Sequence, residues 1–366
     1  MSEAERYLDF MRRVEAAETQ TEREWLLLEF SLAAMSSDLQ MMVWAGGLLR
    51  WFDSDYLQAV VTDDLSAKAD WEALWEALLN QPFVEPFEPL GHSMHERTQK
   101  LLRKQLWKND QVRFQQLSQR AADYCDQQPR TNTVWRIETL YHKLLAREAG
   151  AEQLFSNQGI EWHNQFEYEK VSALITPVIE AVEQGWVTGN AAGWAYYRLG
   201  RLHQTYSRYR ASRAALDKAQ QFLRHDQGLE ANCIKALGDV HISLAEYNEA
   251  RTRYEQAIKI YEQIGAQLGY MNALTGLADL DRHAEEWSSA KTKYLEILAF
   301  ELANGLRMNA AISYRLLGKT ARGQGDLTKA ESYYKQSIVL FKAIGRQSSV
   351  ESVEQELQAL HNEPEE

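Results

Sequence analysis

Residues 228–265 read GLEANCIKALGDVHISLAEYNEARTRYEQAIKIYEQIG, and their pattern returns twice further along the chain at a step of 40. Leu237-Gly238 recurs as Leu277-Ala278 and Leu317-Gly318. Ala250 recurs as Ala290 and Ala330, Tyr254 as Tyr294 and Tyr334, and Gly265 as Gly305 and Gly345. A fixed period of this length marks stacked helix pairs, none of which can bury its apolar face alone. Such arrays present extended surfaces to other molecules, which moves the expectation from catalysis toward binding.

The spacing within 228–265 predicts a helix over 228–244, with Ile234, Leu237 and Val240 on one face. A tight turn at 245–247 follows, then a second helix over 248–264 with Ala250, Tyr254, Ala257, Ile258 and Tyr261 along one stripe. Asn248, Ser288 and Thr328 hold the same position in three units. Each is expected to cap its helix by accepting a free backbone N–H on its side-chain oxygen. Thr328 with Glu331 spells a capping box, and Tyr247, Trp287 and Leu327 stand where a hydrophobic staple would. Gly238, Ala278 and Gly318 leave room for close helix approach. Gly265, Gly305 and Gly345 stand where the second helix must end in a left-handed residue.

This pattern resembles the tetratricopeptide repeat in its longer variant, over roughly 190–346. The resemblance implies a right-handed α-solenoid whose first helices line the concave face. The unit at 191–227 keeps Leu199-Gly200, Tyr209, Leu216 and Ala219, with Ser212 where alanine is expected. Residues 152–188 read as a further degenerate unit, with Tyr168 in the turn and Pro177 disturbing the second helix. The stretch 347–366 reads as a solvated capping helix and an acidic tail.

The chain has 366 residues, 45% hydrophobic and 25% charged, as a folded soluble protein should. Its net charge of -12 disfavours attraction to nucleic acid or anionic lipid. Cys125 and Cys233 make no disulfide framework and read as buried free thiols. The N-terminus alternates acids and bases without the apolar stretch of a secretory signal. No apolar run reaches a membrane-spanning length, so a cytoplasmic location is the default expectation. Of 11 tryptophans, all but Trp287 lie at or before Trp194. Between Pro177 and Pro364 no proline interrupts the repeats. The two halves are built differently.

The N-terminal half begins with a helix within 1–21. Periodicity then predicts helices over 22–35, 38–51, 53–61 and 66–80, a hairpin within FVEPFEPLGHSMH (83–95), and a helix over 96–107. That is a winged-helix layout over 22–108, followed by a helical linker over 109–189. The segments GHSMHERTQKLLRKQL (91–106), RFQQLSQRAADYC (113–125) and RIETLYHKLLAREAG (136–150) resemble the region after the nucleotide-binding domain in bacterial STAND-class signalling NTPases. The resemblance covers about 25–150. It implies a winged helix joining an NTPase to a helical-repeat sensor, in the order found here. The family's NTPase itself is missing. The nearest lookalike of a phosphate loop, Leu317-Gly318-Lys319-Thr320, has Ser313 where that loop needs glycine. The resemblance therefore implies a fragment, a truncated descendant, or an NTPase domain on another chain.

Candidates for chemistry reduce to packing. His92, His95 and Glu96 are close in sequence, but a hairpin histidine and a helix-start histidine do not share a zinc-binding face. Glu96 is expected to favour the helix start and His95 to pack at a domain junction. His203 and His241 occupy a core-facing repeat position. Trp71 and Trp75, four apart, are expected to form one buried stripe. No catalytic group, metal or cofactor is expected. The candidate site is the groove, with Trp194, Tyr197, Arg201, Asn232, Lys235, Asp239, Asn272, Thr275, Asp279, Arg282, Arg315, Lys319 and Arg322 expected along it. Asn232 and Asn272 would hold a peptide backbone. Arg282, Arg315, Lys319 and Arg322 would meet an acidic segment. The reading is a non-catalytic module for a protein or peptide partner, by resemblance the sensor half of a STAND-type system. A stand-alone scaffold is the first alternative. A winged-helix DNA-binding regulator using Arg97, Lys100, Arg103 and Lys104 is the second, disfavoured by the acidity.

Overall fold

The computed structural model describes residues 3–223 and 226–361, so the acidic tail at 362–366 lies outside the described residues. The chain divides into two compact units, Met1–Ala195 and Tyr196–Glu366. Apart from one two-stranded sheet, the described elements are helices. Among the described residues no helix is long and apolar enough to cross a membrane.

The first unit opens with α1 (Glu3–Ala16), α2 (Gln20–Ala33), α3 (Ser37–Leu48) and α4 (Ser54–Val61). A 3-10 turn at Thr62–Asp64 leads to α5 (Trp71–Leu79), the hairpin β1 (Val84–Phe87) and β2 (Gly91–Met94), and α6 (Glu96–Asn109). Side-chain caps start these helices where the sequence offers them. Thr19 and Glu22 form a capping box on α2, and Ser36, Asp53 and Asp70 accept the N–H of Leu39, Tyr56 and Ala73. The strands pair antiparallel, with Val84 opposite Met94 and Phe87 opposite Gly91. Phe52 extends this pairing through reciprocal 2.8 Å bonds with His92. The order is helices, hairpin, helix, with α6 packed on α3.

Four further helices follow: α7 (Gln111–Asp126), α8 (Thr133–Ala146), α9 (Ala151–Asn164) and α10 (Tyr168–Glu183). Pro177 does not break α10, which continues for more than a turn beyond it. The core of this unit is aromatic. Trp51 lies 4.7 Å from Trp135 between ring centroids, and Tyr56 stacks on Tyr124 at 5.0 Å. Cys125 is buried and donates to the Tyr56 hydroxyl at 3.3 Å. Trp71 and Trp75 do stack, but both stay half-buried rather than forming a sealed stripe.

Helix α11 (Gly189–Thr205) leads to α12 (Tyr209–Phe222), and then the repeats proper begin. They are α13 (Gln227–Ser243), α14 (Tyr247–Gln263), α15 (Gln267–His283), α16 (Trp287–Ala303), α17 (Arg307–Gly323) and α18 (Leu327–Ala343). Each of these six is 17 residues long. Helix α19 (Gln347–His361) ends the described chain. Gly265, Gly305 and Gly345 close the second helices at φ 67, 68 and 70. Ser212 occupies its alanine position at full burial because its hydroxyl donates to the Gly200 carbonyl at 2.8 Å.

The tyrosines explain the small residues. A Cβ added to Gly238 would lie 2.8 Å from the Tyr254 ring, and one added to Gly318 would lie 2.7 Å from Tyr334. Tyr254 also fills the space over Gly276 in the next unit, as Tyr261 does over Gly269. Each ring thus packs where only a bare backbone fits.

The caps differ from the sequence expectation. Helices α14, α16 and α18 begin at Tyr247, Trp287 and Leu327, so Asn248, Ser288 and Thr328 lie inside the first turn and are not N-caps. Nor do Thr328 and Glu331 form a capping box; Asp326 accepts the Lys329 N–H at 3.1 Å instead. The reason is in the preceding turn. Ala245, Glu285 and Gly325 adopt left-handed φ of 59, 59 and 77, and the next N–H bonds back to the first helix. Glu246 donates to His241, Glu286 to Asp281 and Asp326 to Ala321 at 2.8–2.9 Å.

Candidate partner-binding groove

In the second unit the first helices of successive pairs meet one another: α13 packs on α15, and α17 reaches α19 through Arg315. Stepping by 40, the groove positions form rows. One runs Asn232, Asn272, Ile312; another Lys235, Thr275, Arg315; a third Asp239, Asp279, Lys319.

The two aspartates of the third row are held by the second helices. Tyr254 donates its hydroxyl to Asp239 at 2.8 Å, and Tyr294 donates to Asp279 at 2.6 Å. Burial and the adjacent carboxylate push both phenols up, so they remain protonated donors. Lys235 pairs with Asp239 at 2.9 Å, and Arg282 lies 3.6 Å from Asp279. Asn232 is half-buried and accepts from Tyr261 at 2.8 Å, whereas Asn272 is exposed. Thr275 donates back to the Met271 carbonyl at 2.8 Å. Ile312, which the sequence reading did not single out, stands 45% exposed at the third step of the asparagine row.

The cationic residues are not grouped as a free patch. Arg315 grips Glu356 of α19 through Nε at 3.0 Å and Nη2 at 2.5 Å, and also donates to Ser352 at 2.8 Å. Lys319 reaches the same carboxylate at 3.1 Å. Burial opposes the Glu356 charge, but these two cations hold the carboxyl below its ordinary range. Arg322 is half-buried on the last turn of α17. Arg201, on α11, has no ion pair with a described residue, and Trp194 and Tyr197 on the same helix are half-buried and buried.

Other polar groups carry the stacking. Asp281 is fully buried, where it accepts from Arg251 at 2.8 Å, Ser289 at 2.7 Å and Lys293 at 2.5 Å. Burial works against its charge, yet these donors keep its carboxyl below the usual value. Forty positions earlier stands His241, buried and 2.5 Å from Glu246, while His203 is only half-buried. Glu301 is buried with Oε2 unpartnered, and burial raises its carboxyl despite a hydrogen bond from Ser313.

The first unit holds the other polar cluster that sequence reasoning missed. Glu138 is fully buried and accepts from Arg50 Nε at 2.9 Å, Arg50 Nη2 at 2.5 Å and Trp51 at 3.2 Å. Burial penalises its charge, but Arg50 and His142 together lower the carboxyl to about 2. His142 lies 3.6 Å from the second Glu138 oxygen and is pushed down by burial. Glu138 and His142, four apart on one helix, were the available signal.

The basic face proposed for α6 is corrected here. Arg103 is only 6% exposed and turns inward, its Nε donating to the Gly47 and Leu48 carbonyls at the end of α3. Arg97 pairs with Glu24 and Lys100 with Glu96. His95 is also corrected: it is exposed and lies 3.6 Å from Glu85, rather than packing at a junction.

Comparison with known proteins returns the tetratricopeptide repeat model over residues 231–264. No curated protein sequence matches the chain. Among solved structures it is similar to a Signal Transduction ATPase with Numerous Domains (STAND) protein with a tetratricopeptide repeat sensor from Pyrococcus horikoshii. That likeness has 13% identity and a TM-score of 0.49, covering 96% of this chain and 52% of the other. The chain therefore spans about half the length of that STAND protein. It is also similar to aspartyl phosphate phosphatase F from Bacillus subtilis, at 12% identity over 88% of this chain and 79% of that one, TM-score 0.48. BtubC from P. vanneervenii matches at 14% identity over 65% and 93%, TM-score 0.46. With the family match on one unit and the same Ala, Tyr and Gly positions recurring at each step of 40 in and just after the second helices, the units of α13 to α18 are tetratricopeptide repeats.

Proposed function

We propose that the layer of first helices captures a protein or peptide segment, and that the chain is the sensor and regulatory part of a STAND-type signalling system. Tetratricopeptide arrays generally serve as non-catalytic scaffolds for protein partners. The observation that carries the reading here is the pair of tyrosine-fixed carboxylates, Asp239 with Tyr254 and Asp279 with Tyr294, one repeat apart. Pre-oriented acceptors of this kind can take backbone N–H groups at little entropic cost. Asn272 beside them offers both a donor and an acceptor, and Ile312 offers an apolar contact. Of the cations, Arg201 is the better choice for an acidic segment, because Glu356 occupies Arg315 and Lys319.

The signalling part of the proposal rests on the sequence resemblance over 25–150 and on its order relative to the repeats. Residues 22–108, which run from within α2 through α5 and the hairpin into α6, would be the winged helix, and the partner NTPase domain would lie elsewhere. Groove occupancy would set the state of that region.

The test is affinity capture with the full chain, comparing Arg201→Glu with Asn272→Ala against Leu295→Glu, an exposed change on a second helix. The proposal expects the first variant to lose at least tenfold in partner recovery and the second to match wild type. Equal recovery by all three would place the binding surface elsewhere.

A further inference from the structure

The loop that leads into α8 brings hydrogen-bond donors together at one end of the first unit. A pocket of about 250 Å³ opens there, bounded by that loop, the start of α8, the second half of α9 and the first turn of α10. That volume is small for a whole organic ligand and suits an ion or a single charged group.

Three cations line the pocket, Arg130, Arg136 and Lys170, against one carboxylate, Glu161. Lys170 is taken by Glu167 at 2.7 Å. Neither Arg130 nor Arg136 has an ion pair with a described residue. Two guanidinium groups therefore face one carboxylate, in a chain whose net charge is -12.

Arg136 is half-buried and is fixed by a neutral group. Its Nε donates to Gln158 Oε1 at 2.8 Å. Gln158 is only 8% exposed, and its Nε2 donates onward to Glu161 at 3.0 Å. The amide thus stands between the acid and the guanidinium. Holding Nε in this way orients the Nη edge, whose N–H donors have no partner among the described residues. The hydroxyls of Thr131 and Thr133 line the same pocket, and neither bonds to another described residue. Trp162, buried, adds an apolar surface.

We infer that this pocket binds a phosphate group, its oxygens shared between the open Arg136 fork, Arg130 and the two threonine hydroxyls. A tetrahedral oxyanion supplies acceptors for donors that converge from several sides, and its charge answers both guanidinium groups. Glu161 opposes that charge, which limits the affinity and gives the test a sign.

The probe is inorganic phosphate, titrated into the full chain at constant ionic strength and followed by phosphorus NMR line width. Saturable broadening is expected, competed by sulfate and not by chloride. Arg136→Gln should weaken binding about tenfold, and Arg130→Gln, on an exposed loop, should weaken it with helicity unchanged by circular dichroism. Glu161→Gln keeps the acceptor for Gln158 and removes the opposing charge, so it should tighten binding about threefold. A purely structural role for Arg136 and Glu161 predicts no such gain. A blocked phosphoserine peptide forms the second arm: binding tighter than inorganic phosphate assigns the group to a phosphorylated side chain, and weaker binding assigns it to free phosphate. Broadening that chloride abolishes equally, or unchanged affinity in folded Arg130→Gln and Glu161→Gln proteins, would overturn the inference.

Discussion

The two units bury polar groups by different rules. The first places a charged carboxylate, Glu138, at its centre and surrounds it with Arg50, Trp51 and His142. The second holds Asp239 and Asp279 on phenol hydroxyls, buries Asp281 against Arg251, Ser289 and Lys293, and fits its tyrosines onto glycine. One core neutralises its buried charge across segments 88 residues apart, the other within neighbouring helices and beside a repeated steric fit. Stability should therefore respond to the central charge in the first unit and also to volume in the second.

The largest expected effect comes from removing the central acid. Glu138→Ala strands Arg50 and should cost about 3–5 kcal/mol. Ten of the 11 tryptophans precede the second unit, so their fluorescence reports the first. Urea unfolding should show the tryptophan transition moving early while the helicity of the repeats persists. Simultaneous loss of both would merge the two rules into one.

Acid is the reversible form of the same experiment. The lowered Glu138 carboxyl contributes fully above about 4.5, the ordinary glutamate value, and that contribution is lost as pH falls toward about 2. His142, lowered by burial, is favoured neutral, so its contribution is present above 6.5 and lost below it. The tryptophan transition should weaken from about pH 6.5 downward, and Glu138→Gln should flatten its acid limb.

The second unit answers to volume. Gly276→Ala pushes a methyl into the Tyr254 ring and should cost about 1–3 kcal/mol in thermal unfolding of the repeats. Glu301→Gln should act oppositely. Its raised carboxyl destabilises the fold once ionised, so the amide should gain about 1 kcal/mol at neutral pH. That gain should vanish in acid, where both side chains are uncharged. The smallest effect separates two caps: Asp326→Ala should cost about 1 kcal/mol, and Thr328→Ala a few tenths.

The repeats were legible because the period of 40 states a local steric rule, with Gly238 and Tyr254 only 16 residues apart (254 − 238). The hairpin at 84–94 was legible from proline, glycine and alternation. The caps were misread by two residues because the left-handed turns at Ala245 and Glu285 close early, with Glu246 and Glu286 donating back to the preceding helix, which leaves Asn248 and Ser288 inside the next one. Groove membership could be counted along the helices. What each groove residue touches could not, since the partner of Arg315 sits on α19, 41 residues away. Arg50 and Glu138 are 88 apart, and nothing local in either segment announces the pair.

Tyr254 and Tyr261 reach forward onto Gly276 and Gly269 of the following unit. One step further along the chain those two glycines are replaced by Leu316 and Asn309, while Tyr261 gives way to Glu301. The units look interchangeable in period and length, yet each bears a toothed edge cut for one successor. Excising residues 267–306 would preserve the phase and still set Tyr254 against Leu316, so the order of units is itself a specification written into the rings.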